Sequence, residues 1–147
     1  MDKHITSCVR LLSFEQIYQE SIRSKLETID LFLKENTAPF QVYEVAHVLE
    51  IETDELTSIM EALQITEIDS VSFFTLVFNA SSDICKLLAR QWKHSQTDTY
   101  TPEMIAEIYN LNIHKVKNAF VDLSVDFVTN VELMDVFKRI HLPVFSA

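Results

Sequence analysis

The chain has 147 residues, of which 48% are hydrophobic and 23% are charged, so it can form an apolar core and does not belong to the disordered class. It contains no glycine. This absence disfavours phosphate-binding loops, dinucleotide-binding folds and hairpin-rich β folds, because all three use glycine at strained backbone positions. Helices tolerate the absence best, since Asn can adopt the left-handed conformation at a helix end. Four asparagines lie near predicted helix ends and are the candidates for this conformation: Asn36, Asn79, Asn110 and Asn112.

The formal net charge is −10, and residues 1–90 contribute −8 of it, with 7 Lys and Arg against 15 Asp and Glu. A field of this sign repels nucleic acid and anionic membranes. Cys8 and Cys85 lack any motif spacing, and no secretory leader is recognisable before them. No apolar run approaches the roughly 18 residues that span a bilayer. We therefore expect a cytoplasmic protein without a membrane span.

The first half of the chain predicts four helices. Apolar residues at steps of three and four from Phe14 to Leu33 indicate one long amphipathic helix, which Ala38-Pro39 prevents from continuing. Thr53 is the predicted cap of the third helix. The fourth is expected to bury Val71, Phe74, Val77 and Phe78. The predicted helices cover residues 14–35, 41–49, 54–63 and 69–79.

The second half predicts the same series again. Thr101-Pro102 starts a helix with Pro at a permitted early position. Thr129 and Glu132 have the spacing of a capping box, and Pro143 is expected to close the last helix. The predicted helices cover residues 81–94, 101–109, 113–123 and 130–141.

When the sequence is shifted by 60 residues against itself, apolar positions coincide without a gap across four helices. Such a register predicts an internal repeat. We therefore expect an all-α fold with two tandem helical repeats, residues 1–79 and 80–147, packed into one compact body.

Each predicted repeat contains a segment that resembles the helix-turn-helix motif, at residues 41–64 and 101–124. In that motif a small residue lets the helices cross closely, and two later apolar residues fill the angle between them. The usual Gly before the turn is replaced by Glu50 in the first copy and by Asn110, the better substitute, in the second. A three-helix bundle without a binding role fits the same pattern. The defining positions are Ala46, Ile51 and Leu56, then Ala106, Leu111 and Val116.

The resemblance places the third helix of each repeat where DNA-binding relatives insert a helix into the major groove. In repeat one that helix carries Asp54, Glu55 and Glu61. Carboxylates there would repel phosphates, so we interpret this surface as a site for a basic protein partner. Repeat two offers the alternative nucleic-acid surface, with side chains that reach phosphates and base edges. Its residues are His114, Lys115, Lys117 and Asn118.

No catalytic or metal motif is recognised, and no cofactor is expected. Glu44-x-x-His47 has the spacing of bundle metal sites, but no second such pair exists. The acidic residues from Glu50 to Glu61 resemble a calcium loop but lack its glycine. We expect Cys85 to be buried on an apolar helix face. A catalytic thiol would require neighbours that are distant in the sequence.

These observations predict a non-catalytic regulatory or scaffolding protein that acts by protein binding. The first alternative is a sequence-specific DNA-binding regulator that uses repeat two, and the second is an enzyme of unrecognised class. The tail brings Leu142, Val144 and Phe145 after the last predicted helix. Two hypotheses remain open for it: docking onto the chain's own fold, or association with a partner or a second copy as a homodimer.

Overall fold

The computed structural model describes the backbone of residues 8–146 and the side chains of residues 10–144. It is mainly helical. A π-helical segment, Tyr18–Ile22, separates the first two helices, and a 3-10 turn, Asn130–Glu132, precedes the last. The helices are α1 Phe14–Ile17, α2 Arg23–Glu35, α3 Val42–Leu49, α4 Thr53–Ala62, α5 Ser70–Asn79, α6 Asp83–Lys93, α7 Pro102–Tyr109, α8 Ile113–Leu123 and α9 Leu133–Lys138.

Two small antiparallel sheets correct the all-α prediction. Strand β1, Cys8–Ser13, pairs with β4, His141–Ser146, and β2, Thr99–Tyr100, pairs with β3, Val128–Thr129. Helix α9 already ends at Lys138, so Pro143 lies inside β4 and does not close a helix. Residues 141–144 alternate between exposed and half-buried, the period of a strand.

The described chain divides into two compact units. The central unit is Ile22–Ser95, and the terminal unit combines the described residues of Met1–Ser21 with those of Gln96–Ala147. Helix α6 therefore belongs to the same unit as α2–α5, although the sequence repeat groups it with the helices that follow. The repeat boundary after residue 79 rests on apolar register and stays a prediction.

The core of the central unit is built around Phe73, which is fully buried. Its ring lies 6.1 Å from that of Phe32 and 6.2 Å from that of Phe40. Of the three residues that the helix-turn-helix resemblance singled out in the first copy, Ala46 and Leu56 are buried here as well, and Ile51 is half-buried. Burial of apolar side chains such as these is the dominant favourable contribution to the free energy of folding.

The core of the terminal unit is an aromatic cluster. Phe137 of α9 is fully buried, and its ring lies 4.7 Å from Phe14 and 4.9 Å from Tyr109. Tyr18 of the π-helical segment completes the cluster, at 5.4 Å from Phe137. Several of these pairs meet edge to face, the arrangement that aromatic quadrupoles favour.

Among the described residues, four adopt the left-handed conformation, and they form two pairs that are 60 residues apart: Glu50 with Asn110, and Gln64 with Ser124. The turns after α3 and α7 also contain equivalent hydrogen bonds. Ile51 N donates to Ala46 O in the first turn and Leu111 N donates to Ala106 O in the second, each at 3.0 Å. Of the four predicted Asn positions only Asn110 is left-handed. The other three are corrected: Asn36 is extended, Asn79 ends α5, and Asn112 caps the start of α8.

Glu50 carries a side chain where glycine is the least strained residue, since its φ is 59°. Glu50→Gly is therefore expected to raise the free energy of unfolding by about 0.5–1 kcal/mol. The same substitution at Glu61, in the last turn of α4, should lower the free energy of unfolding by at most about 1 kcal/mol. Urea denaturation of both variants measures the two changes in the free energy of unfolding. A loss of stability in Glu50→Gly equal to that in Glu61→Gly would show that the left-handed turn carries no strain.

The helix starts agree with the predictions in most cases. Thr101 accepts a hydrogen bond from Met104 N at 3.3 Å, with Pro102 as the first helical residue. Thr129 and Glu132 form the capping box. Thr53 is a correction: it is the first residue of α4 rather than its cap.

The buried face of α5 differs from the prediction. Phe73, Leu76 and Val77 are buried, whereas Val71 is 78% exposed. Of the predicted set, Phe74 and Phe78 are also exposed, and only Val77 is buried. The helix is apolar almost all round, so its sequence pattern does not single out one face.

Candidate functional site

The acidic face of α4 is the predicted protein-binding surface. Asp54 and Glu61 are exposed, and neither has an ion-pair partner in the described part of the chain. Glu55 is half-buried and accepts hydrogen bonds from Ser81, at 2.8 Å from the backbone N and 2.7 Å from Oγ. Glu55 therefore joins the start of α4 to the segment before α6, whereas the side chains of Asp54 and Glu61 are exposed to solvent.

The predicted nucleic-acid residues lie on α8, with His114 and Asn118 exposed. The two lysines contact groups of the protein itself. Lys115 Nζ donates to His141 O at 2.8 Å, and Lys117 Nζ lies 3.7 Å from a carboxylate oxygen of Glu103. Phosphate binding would compete with both contacts, so this surface is less available than its sequence suggests.

Glu44 and His47 line an open groove between α2 and α3 with a volume of about 520 Å³. Glu44 Oε1 accepts a hydrogen bond from Tyr43 Oη at 3.3 Å. Among the described residues, no group of three or more His, Cys, Asp or Glu side chains is arranged to hold a metal ion.

Cys85 is fully buried on α6, as its apolar surroundings predicted, and it carries a free thiol. Burial raises the pKa of this thiol above its usual range; a hydrogen bond with the Ser82 side chain opposes this shift, and the negative charges of Glu55 and Glu50 add to it. Its Sγ lies 3.8 Å from Leu49 O, to which it donates. A buried, protonated thiol is a poor nucleophile. The side chain of Cys8 lies outside the described residues.

A second groove, which the sequence interpretation missed, lies between α5 and α6. Its walls are formed by Phe74 and Phe78 on α5 and by Leu88 and Trp92 on α6, and its volume is about 190 Å³. The rings of Phe78 and Trp92 are 5.9 Å apart, yet Trp92 is 63% exposed. One sequence signal was present: α5 has no charged residue over its whole length.

No single helix in the described part of the chain is long and apolar enough to cross a membrane. Helices α5 and α6 meet the length and composition requirement only when taken together, and they are bent by 108° at the break between them. No protein-family model, curated protein or solved structure matches this chain.

Proposed function

We propose that this chain is a non-catalytic regulatory or scaffolding protein that binds a basic segment of a protein partner through the acidic face of α4, in the cytoplasm. The observation that carries the proposal is the exposure of Asp54 and Glu61 without an ion-pair partner among the described residues. Helix α4 contains no Lys or Arg that could neutralise them.

The charge of the whole central unit supports the same partner. Residues 22–95 contain 6 Lys and Arg against 12 Asp and Glu, a net charge of −6. Complementary charge steers encounter and selects among partners more than it adds affinity. A segment rich in Lys or Arg is therefore attracted to this unit, whereas nucleic acid and other acidic chains are repelled.

The acidic surface belongs, in this proposal, to one copy of a duplicated helix-turn-helix-like unit. Two observations support such a duplication. The turns after α3 and α7 each contain a left-handed residue at the matching position, and each is closed by an equivalent backbone hydrogen bond. In this interpretation α4 and α8 occupy the same position in the two copies. The first copy carries carboxylates where a DNA-binding copy would carry basic side chains.

The test uses an oligolysine peptide, which offers charge without an apolar face. The double variant Asp54→Asn/Glu61→Gln is expected to weaken its binding about three- to tenfold at low salt, because exposed charge pairs contribute about 0.2–1 kcal/mol each. Isothermal titration calorimetry measures the effect, and rising ionic strength should remove it.

Asp122→Asn/Asp126→Asn is the matched control, since it changes the net charge equally at exposed positions of the terminal unit. Its binding should fall much less than that of the α4 variant. Equal losses in the two variants would mean that oligolysine responds to total charge only, and the proposal for α4 would be abandoned.

A further inference from the structure

The groove between α2 and α3 brings different kinds of side chain to one open site of about 520 Å³. Tyr43 and Glu44 line it from α3, and Asn36 lines it from the end of α2. Phe32 and His47 line it as well. The groove therefore combines aromatic rings with a carboxylate and an amide, and such combinations recognise organic cations.

The hydrogen bonds inside the groove leave acceptor atoms for a ligand. Tyr43 Oη donates to Glu44 Oε1 at 3.3 Å, and Asn36 Nδ2 donates to Phe32 O at 2.9 Å. No described residue donates to Glu44 Oε2 or to Asn36 Oδ1. A ligand with several N–H groups meets two oxygen atoms here that accept hydrogen bonds.

The ring of Tyr43 provides a surface for stacking. It is 64% exposed, and the hydrogen bond from its hydroxyl group holds it beside the carboxylate of Glu44. The guanidinium group of arginine is planar, so it stacks on an aromatic face while its N–H groups donate in its own plane. The ammonium group of lysine is a compact point charge and lacks this geometry.

The charge around the groove itself also favours a cation. Of the described residues that line it, Glu44 alone carries a formal charge when histidine is counted as neutral. Helices α2 and α3 together carry three Lys and Arg against four Asp and Glu. Two of the three cations already have partners: Lys25 lies 3.1 Å from Glu50, and Lys34 lies 2.8 Å from Asp30.

We infer that the α2–α3 groove binds the guanidinium group of an arginine side chain, which stacks on Tyr43 and donates hydrogen bonds to Glu44. The inference rests on the proposed function in one respect, namely that the arginine belongs to the basic segment of the partner. It adds selectivity: the acidic face of α4 attracts any positive charge, whereas the groove prefers arginine to lysine. Helix α3 packs against both α2 and α4, so the groove and the acidic face lie on neighbouring elements of one unit.

The experiment compares the binding of an arginine octapeptide and a lysine octapeptide by isothermal titration calorimetry. Glu44→Gln should weaken the arginine peptide about fivefold and the lysine peptide less than about twofold, because only the guanidinium group forms paired hydrogen bonds with a carboxylate. Glu27→Gln is the matched control, since Glu27 is exposed on α2 and does not line the groove. It should weaken both peptides equally, by less than about twofold.

Two substitutions of Tyr43 separate the ring from its hydroxyl group. Tyr43→Leu removes the aromatic face and should weaken the arginine peptide about three- to fivefold. Tyr43→Phe keeps that face and should weaken it less than about twofold. Circular dichroism of each variant establishes that the helical content is retained.

A single arginine tests the groove without the acidic face of α4. N-acetyl-arginine methylamide should shift the backbone amide NMR signals of Asn36, Tyr43 and Glu44, and N-acetyl-lysine methylamide at the same concentration should leave them in place. The double variant Asp54→Asn/Glu61→Gln should show the same shifts as the unmodified protein.

Failure of the inference and failure of the proposed function give different results. If lysine-peptide binding depends on Asp54 and Glu61 but Glu44→Gln behaves like Glu27→Gln, the proposed function stands and the groove is rejected. If the single arginine shifts the groove signals but lysine-peptide binding does not depend on α4, the groove stands and the proposed function fails. Equal shifts with tetramethylammonium would overturn the preference for arginine. Shifts on raising the protein concentration alone would identify a second copy, rather than a partner, as the occupant.

Discussion

Replacement of Phe137 by Ala is expected to lower the free energy of unfolding by about 3–5 kcal/mol, the range for removal of a buried aromatic ring. Phe137 is fully buried and contacts the rings of Phe14, Tyr18 and Tyr109. Its loss leaves a cavity and removes edge-to-face contacts, each of which contributes about 0.5–1.5 kcal/mol beyond area burial. Urea denaturation followed by circular dichroism measures the change.

The control for this prediction is Phe127→Ala, since Phe127 is exposed on the same unit. We expect it to change the free energy of unfolding by no more than about 0.5 kcal/mol. If the two variants proved equally stable, the aromatic cluster would not be the core of the terminal unit.

Removal of residues 142–147 is expected to cost about 2–4 kcal/mol. The deletion takes away most of β4, whose register with β1 runs from Ser13 opposite His141 to Cys8 opposite Ser146. Antiparallel strands exchange about one hydrogen bond per residue pair, and each contributes about 0.5–1.5 kcal/mol net. The melting temperature should fall by roughly 5–15 °C.

The same deletion separates the two hypotheses for the tail. The pairing of β4 with β1 supports a tail docked onto the chain's own fold, so we expect light scattering to give the same oligomeric state before and after truncation. An unchanged melting temperature together with loss of a complex would instead identify the tail as an interface.

Amphipathic periodicity predicted most helices to within a few residues, because the chain has no glycine and residues 8–146 contain no long linker that would interrupt the pattern. The two sheets could not be predicted in this way. Strands β2 and β3 have two residues each, too few to show a period. The pairing of β1 with β4 joins segments at opposite ends of the sequence, and local patterns carry no information about such contacts.

Some features of the candidate surfaces could be predicted from the sequence, and others could not. Exposure of Asp54 and Glu61 follows from helical phase and could be predicted. The α5–α6 groove could not, because α5 is apolar on both sides and packing alone decides that Phe73 is buried while Phe74 is exposed. The contact of Lys115 with His141 O depends on the position of β4, so the sequence could not show that this lysine is engaged.

The most direct test of binding to protein rather than nucleic acid is a pull-down from a native lysate, performed with and without nuclease. We expect one set of proteins to be retained under both conditions, and to be lost with the Asp54→Asn/Glu61→Gln variant but kept with Asp122→Asn/Asp126→Asn. Retained duplex DNA at physiological salt, or proteins that disappear on nuclease treatment, would contradict protein docking and favour the surface of α8 formed by His114, Lys115, Lys117 and Asn118.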